Sequence, residues 1–279
     1  MVSVLIVNYY TEELVYQKDK LCASIPAVEF IVVDNSGTYN RKGNSVKINV
    51  GNVGYGRALN IAVERSRYDN LLILNPDVIL TIEMLEKILK ILESENYTCL
   101  TFKLLNEDGT IQRAHSRLQG RLNTVLTSSG IYSMFGVEKK RYLKLTDKMY
   151  IEQPLGGCFM IRKEIFKSIG GFGSEYFVFW EDVDFFWRLQ KISVKPILRS
   201  DITMLHLGSG SFVEGSSWKK RALEVQGRVI YFKNRKWTRP NLVLRILELV
   251  AWSIRIRSFR NLPDLLLYFK RLIFWKNVL

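Results

Sequence analysis

The chain has 279 residues, 41 of them Lys or Arg, 27 Asp or Glu and 2 His, for a formal net charge of +14. With 47% hydrophobic and 24% charged residues it carries enough apolar material for a core, which excludes an intrinsically disordered protein. That length suits one large domain, or one domain with a sizeable extension.

The first half alternates strand and helix signals. Val2–Val7 is a continuous apolar run, as a strand buried on both faces should be. Thr11–Ala23 reads as a helix. Phe30–Val33 reads as a second strand, stopped by the turn residues Asp34-Asn35-Ser36-Gly37. Val46–Val50 is a short third strand and Gly56–Arg67 a helix opened by a Gly-rich turn. Leu71–Leu74 is a fourth strand, ended by Asn75-Pro76-Asp77, and Ile82–Glu95 is a helix with apolar spacing. The order β-α-β-β-α-β-α predicts a mostly parallel sheet covered by helices. Ligands bind such sheets beyond the carboxyl ends of the strands, where Asn8, Asp34 and Asp77 would converge. Residues 98–153 show no clear period and read as loop and acceptor-facing structure.

Four segments carry chemistry. The turn Asn75-Pro76-Asp77 aims a carboxylate from a strand end, which suits a divalent cation shared with substrate phosphates, although an ordinary turn has the same composition. In Trp180-Glu181-Asp182-Val183-Asp184-Phe185-Phe186-Trp187, three acids lie among aromatic residues. Apolar walls and like charges raise carboxylate pKa values, which is how a general base is tuned; helix capping is the plainer reading. Gly156-Gly157 and Gly170-Gly171 allow close backbone approach, the second pair also as a helix C-cap. His206 precedes a Gly/Ser stretch that reads as a mobile loop, whereas His115 reads as structural.

The excess charge is concentrated at the end of the chain. Residues 214–279 hold 15 Lys and Arg against 4 acids, interleaved with Leu, Ile, Phe and Trp. Basic amphipathic helices of this kind suit an anionic membrane surface; packing on the catalytic core is the alternative. No nucleic-acid-binding motif accompanies the patch, so no nucleic-acid partner is expected. No apolar stretch reaches the roughly 18 residues of a membrane span. The first residues lack the basic start of a signal peptide. Cys22, Cys99 and Cys158 lie far apart, as in a reducing compartment. A cytoplasmic protein, peripheral at the inner face of the membrane, is expected.

Taken in order, Val2–Tyr9, Val32–Ser36, Asn52–Asn60, Leu72–Asp77, Gly156-Gly157, Gly170-Gly171-Phe172, Glu181–Asp184 and His206 resemble the family 2 nucleotide-sugar glycosyltransferases of the GT-A fold, in the rhamnosyltransferase-like branch. The resemblance covers about residues 2–235. It implies a catalytic domain at 1–213, with a nucleotide-binding half at about 1–97 and an acceptor-side half at about 98–213, followed by the basic helical region 214–279. It implies that Asp34 binds the base, with Asn8, Tyr9 and Asn35 beside it. Gly54, Arg57 and Asn60 would shape the nucleotide pocket, and Asn75, Gly157 and Glu181 would line the donor site. Asn75 stands where many relatives have the first Asp of Asp-x-Asp, which leaves Asp77, with His206, to hold Mn²⁺ or Mg²⁺. Asp182 matches the acceptor base. The implied reaction is an inverting transfer, of L-rhamnose from dTDP-rhamnose to a lipid-linked or cell-surface glycan. A UDP-hexose donor and a non-catalytic nucleotide-sugar or membrane-binding module are the alternatives, and pairing with a second copy stays open.

Overall fold

The computed structural model describes residues 1–40, 43–112, 114–116, 118, 145–208 and 217–236. The expected membrane-binding segment 240–279 lies outside these residues, as does the Gly/Ser stretch after Gly208. The described residues fall into two compact units. The first takes those of Met1–Leu118, Tyr142–Phe177 and Glu181–Val213; the second takes Val178–Trp180 and the described part of Glu214–Leu279.

The first unit holds a seven-stranded sheet. Its elements are β1 (Val2–Asn8), α1 (Glu12–Ala23), β2 (Val28–Asp34), β3 (Val46–Asn49), α2 (Tyr55–Arg65), β4 (Asn70–Leu74), α3 (Ile82–Ser94) and β5 (Cys99–Leu105). A two-stranded pair, β6 (His115–Ser116) with β7 (Gln153–Pro154), follows, then β8 (Cys158–Arg162), α4 (Lys163–Ser168), α5 (Glu181–Lys191) and β9 (Ile197–Leu205). The strand order is β3-β2-β1-β4-β8-β5-β9. Only β8 runs antiparallel to its neighbours in this sheet.

The centres of β1, β2 and β4 are apolar because both faces are covered. Val2, Val4 and Ile6 of β1 join a core with residues of α1 and α3, while Leu5 and Val7 join another with α2 and α5. In the second core Phe159 of β8 contacts Phe185 and Phe186 of α5 at 5.6 and 5.1 Å, and Phe172 stacks on Phe185 at 4.5 Å. Each such pair contributes roughly 0.5–1.5 kcal/mol beyond its buried area, so α5 is held firmly against β8. Thr81 caps α3 by accepting the Met84 N–H. Gly170 and Gly171, with φ of +78° and +67°, end α4 as the cap reading requires.

One expectation is corrected. Residues 98–153 are not all loop, since Cys99–Leu105 is a buried strand between β8 and β9. Its pairing with β9 shifts register between Phe102 and Lys103, an irregularity of the kind that re-aims a strand end near a site.

The second unit contains α6 (Ser217–Asn234), on which Trp180 lies 5.2 Å from Tyr231 and 6.2 Å from Phe232, centroid to centroid. A Cβ at Gly227 would meet the Phe179 carbonyl oxygen at 2.3 Å, so helix and backbone touch only through a glycine. Phe179 and Trp180 have φ of 68° and 71°. Left-handed backbone at two successive bulky residues costs about 1–3 kcal/mol each, and packing must hold it. The residue that follows is Glu181.

His115 is buried, and desolvation pushes its pKa down to about 4, more than the nearby backbone of Ala114 and Phe102 offsets. The unfolded chain therefore takes up the proton first. Stability from this group is complete above about pH 6.5 and is lost as pH falls toward 4, by roughly 3 kcal/mol at most. Urea unfolding from pH 7 to 4.5 should show that loss in the wild type and less of it in His115→Phe. Equal slopes would refute the assignment.

Candidate active site

The ends of β1, β2, β3 and β4 lie on one edge of the sheet, and Asn8 sits opposite Asp34 in register. Asp34 is fully buried. Its Oδ1 accepts from Asn8 Nδ2 (2.9 Å), from the Ser36 hydroxyl (3.0 Å) and from the Gly37 N–H (3.0 Å); its Oδ2 accepts from the Tyr39 N–H (3.0 Å). Lys47 Nζ lies 3.5 Å away. Burial alone would raise its pKa, but these bonds and the Lys47 charge outweigh burial and hold it below the usual range. Asp34 thus organises the 34–39 turn from inside. Tyr9 and Tyr10 meet edge to face beyond the β1 end, with Tyr10 exposed.

A second group is reached through Asn35, whose amide donates to the Gly54 carbonyl at 3.2 Å. Gly54 has φ of +89°, and a Cβ there would lie 2.2 Å from the Phe177 carbonyl oxygen, so the turn into α2 requires glycine. Tyr55 follows and donates from its hydroxyl to Asn75 Oδ1 at 2.8 Å. Its pKa is raised well above the ordinary value by burial and then by the charges of Glu181, Asp182 and Asp77, so it stays a neutral donor. Tyr55 therefore stands near acids from two of the segments that the sequence singles out, Glu181 and Asp182 of one and Asp77 of the other.

The glycine pair before β8 completes this group. A Cβ at Gly157 would overlap the Asn75 amide, and one at Gly156 would meet the Asp182 Cβ at 2.4 Å. The Asn75 N–H donates to the Gly157 carbonyl at 2.7 Å. The close approach expected of these glycines is to side chains of the site itself.

Glu181 and Asp182 open α5, so they lie in a helix first turn and in a cluster at once. Glu181 is buried and its Oε2 has no hydrogen-bond partner among the described residues; Asp182 is half-buried. Desolvation raises both carboxyls, Glu181 further through Asp182, and the two titrate as a pair. The N–H groups of Val183 and Gly156 pull Asp182 the other way. Asp184 is tied to Arg188 at 2.6 Å.

Asp77 and His206 meet, Oδ1 to Nε2 at 3.3 Å. The turn carrying Asp77 is pinned from below by Lys18, a buried residue of α1 whose Nζ donates to the Pro76 carbonyl at 2.6 Å. Burial lowers the Lys18 pKa to about 8 against the pull of Asp77, so it remains a cation at neutral pH. No group of three His, Cys, Asp or Glu side chains suited to a metal exists among the described residues. A carboxylate oxygen and a ring nitrogen this close fit two positions around a cation that takes its other ligands from phosphates and water.

Asn60 and Arg57, also expected in the pocket, are engaged within the protein as well. Asn60 donates to and accepts from the Phe172 backbone at 2.8 Å each, and the exposed Arg57 donates to the Ser174 carbonyl. Tyr55 and Lys18 were missed in the sequence. An aromatic ring in a Gly-rich turn and a lysine on a polar helix carry no signal until the fold brings them under Asn75-Pro76-Asp77.

Solved structures place the architecture. Residues 1–349 of S. aureus TarS match with a TM-score of 0.52 at 13% identity, covering 98% of this chain and 80% of that one. GalNAc-T7 with UDP, GalNAc and Mn²⁺ matches with a TM-score of 0.52 at 12% identity, covering 81% and 47%. At such identities the likeness concerns the fold alone, which is GT-A, the fold of glycosyltransferases. The chain belongs to glycosyl transferase family 2, whose pattern matches residues 3–170. Its relatives include the low-salt glycan biosynthesis hexosyltransferase Agl10 of Haloferax volcanii, 27% identical over 203 residues. They also include rhamnosyltransferase WbbL of Escherichia coli, 28% identical over 157 residues. Those matches cover 69% and 53% of this chain, and only 62% and 58% of the two relatives.

Proposed function

We propose that the protein transfers a sugar, with inversion, from a nucleoside diphosphate donor to an acceptor hydroxyl. The observation that carries this reading is the acid pair at the start of α5. Asp182 is half-buried, has a raised pKa and packs on Gly156, while Glu181 beside it is buried and Asp184 is paired with Arg188. Asp182 is thus the carboxylate placed to meet an acceptor. It takes the proton of the acceptor hydroxyl as that oxygen bonds to the anomeric carbon, and the bond to the diphosphate breaks on the opposite face. The transferred sugar carries cationic character in between.

Asp77 and His206 hold Mn²⁺ or Mg²⁺, which when bound neutralises the charge on the departing diphosphate. Asn75, oriented by Tyr55, and Gly157 border the donor. Asn8, Tyr9, Asp34 and Asn35 form the base side, where Asp34 shapes the 34–39 loop from inside. Gly54, Arg57 and Asn60 set the wall between the two halves.

The donor proposed is dTDP-rhamnose, in keeping with a relative named rhamnosyltransferase; a UDP-hexose is the second reading, favoured by the relative named hexosyltransferase. Thermal unfolding with a panel of dTDP- and UDP-sugars, with and without Mn²⁺ and Mg²⁺, separates them. A donor at a hundred times its Kd stabilises by about 2.7 kcal/mol, so the ranking identifies it without an acceptor. No shift with any donor would refute nucleotide-sugar binding.

A lipid-linked glycan acceptor and peripheral membrane residence are proposed from the basic, aromatic residues 214–279. No helix among the described residues is long and apolar enough to cross a membrane. Binding to anionic vesicles should weaken with salt yet persist, since aromatic insertion is not screened, and removal of 240–279 should abolish it. Absence of vesicle binding at every salt concentration would refute this.

A further inference from the structure

Gln112 lies in a polar stretch that nothing in the sequence marked out. It follows a stiff return from β5. The turn Asn106-Glu107-Asp108-Gly109-Thr110 is closed by the Gly109 N–H on the Asn106 carbonyl (3.0 Å) and by the Asn106 N–H on the Thr110 carbonyl (2.8 Å). Asp108 Oδ1 accepts from the Thr110 N–H at 2.9 Å. The Gln112 N–H then donates to the Leu104 carbonyl (2.9 Å), and the His206 N–H donates to the next carbonyl, that of Leu105 (2.9 Å). The two backbones are thus fixed to consecutive residues of one strand.

Their side chains interlock. Gln112 Nε2 lies 3.4 Å from the His206 carbonyl oxygen, and Gln112 Oε1 lies 2.6 Å from His206 Nδ1. A carbonyl only accepts, so the amide nitrogen must face the backbone and the amide oxygen must face the ring. That oxygen also only accepts, so the proton sits on Nδ1. A neutral imidazole has one N–H, which leaves Nε2 with a bare electron pair 3.3 Å from Asp77 Oδ1. In the neutral ring two acceptors face each other there, an arrangement relieved by a bound cation or by a second ring proton.

We propose that Gln112 is a positioning residue that fixes His206 in its Nδ1–H tautomer and so turns Nε2 toward Asp77 as a ligand atom. For the neutral ring the tautomer follows from these contacts; its use rests on the metal reading above. A hydrogen bond from the far nitrogen of a ligating histidine to an oxygen acceptor is a common support for metal sites, and its loss typically costs 10–100-fold in affinity.

The chain has only two histidines, so ¹⁵N-histidine spectra of the full-length protein are simple to read. They are taken at alkaline pH, where the rings are neutral, with His115→Phe to assign the signals. Wild type should show the His206 proton on Nδ1. Gln112→Leu should move it to Nε2, where Asp77 can accept it, and should weaken Mn²⁺ binding in the presence of a nucleoside diphosphate by about 10–100-fold. Gln112→Glu, which keeps an acceptor at the ring, should restore the Nδ1 proton. A wild-type ring protonated on Nε2 overturns the proposal without recourse to any variant, as does an unchanged tautomer in a folded Gln112→Leu. If the Nδ1 proton is found but Mn²⁺ does not bind the wild type with nucleotide, the tautomer assignment stands and the metal reading fails.

Discussion

Asp182→Asn is expected to lower the transfer rate by about 10²–10⁴-fold while donor binding stays near the wild-type level. The substitution keeps the shape that packs on Gly156 and an oxygen that can accept the Val183 N–H, 2.8 Å from Asp182 Oδ1 in the wild type. What it removes is the ability to take a proton. Because desolvation raises the acid pair, the wild-type rate should fall on the acid side as the pair gains a proton, and this limb should vanish in the variant. Full activity with saturating donor and acceptor would sink the assignment. The next candidate would then be Glu181, because Asp184 is held by Arg188.

Asp77→Ala should reduce metal-dependent turnover by roughly 10²–10³-fold, since charge neutralisation at a leaving diphosphate is worth several kcal/mol. Donor binding measured with Mn²⁺ should weaken, and excess Mn²⁺ should restore part of it through His206 and the phosphates. Lys18 would also lose the nearby carboxylate that favours its charged form. The comparison to make is therefore with Asp77→Asn, which keeps the turn geometry. Wild-type activity indifferent to a chelator would refute the metal role of the whole site.

Much of the sheet was legible because Val4–Val7, Phe30–Val33 and Leu71–Leu74, at the centres of β1, β2 and β4, are buried and read as unbroken apolar runs. β5 was not, because Thr101 and Lys103 interrupt it. Thr101 is tolerated inside since its hydroxyl donates to the Cys158 carbonyl, a contact with a residue far along the chain. The acids of the site were legible, as charged groups amid aromatics stand out in any sequence. Their supports were not. Lys18, Tyr55 and Gln112 act on atoms 58, 20 and 94 residues away, and no local pattern encodes such pairings. The same distance explains Asn60, whose side chain is engaged with Phe172, 112 residues on.

The antiparallel strand β8 has a consequence for how the chain is made. It lies between β4 and β5, yet it comes after both in sequence, and β5 has its other neighbour, β9, later still. While the first 150 residues emerge during synthesis, β4 has an open edge and β5 has no partner in the sheet. Unpaired apolar edges of this kind invite association with other chains, so the nascent protein is vulnerable from the completion of β4 until β8 emerges. The arrival of β8 closes that gap and brings Gly157 against Asn75, and Asp182 reaches Gly156 once α5 has followed. The centre is therefore built on the strand that closes the sheet's gap, and α5, β9 and His206 are added to it afterwards.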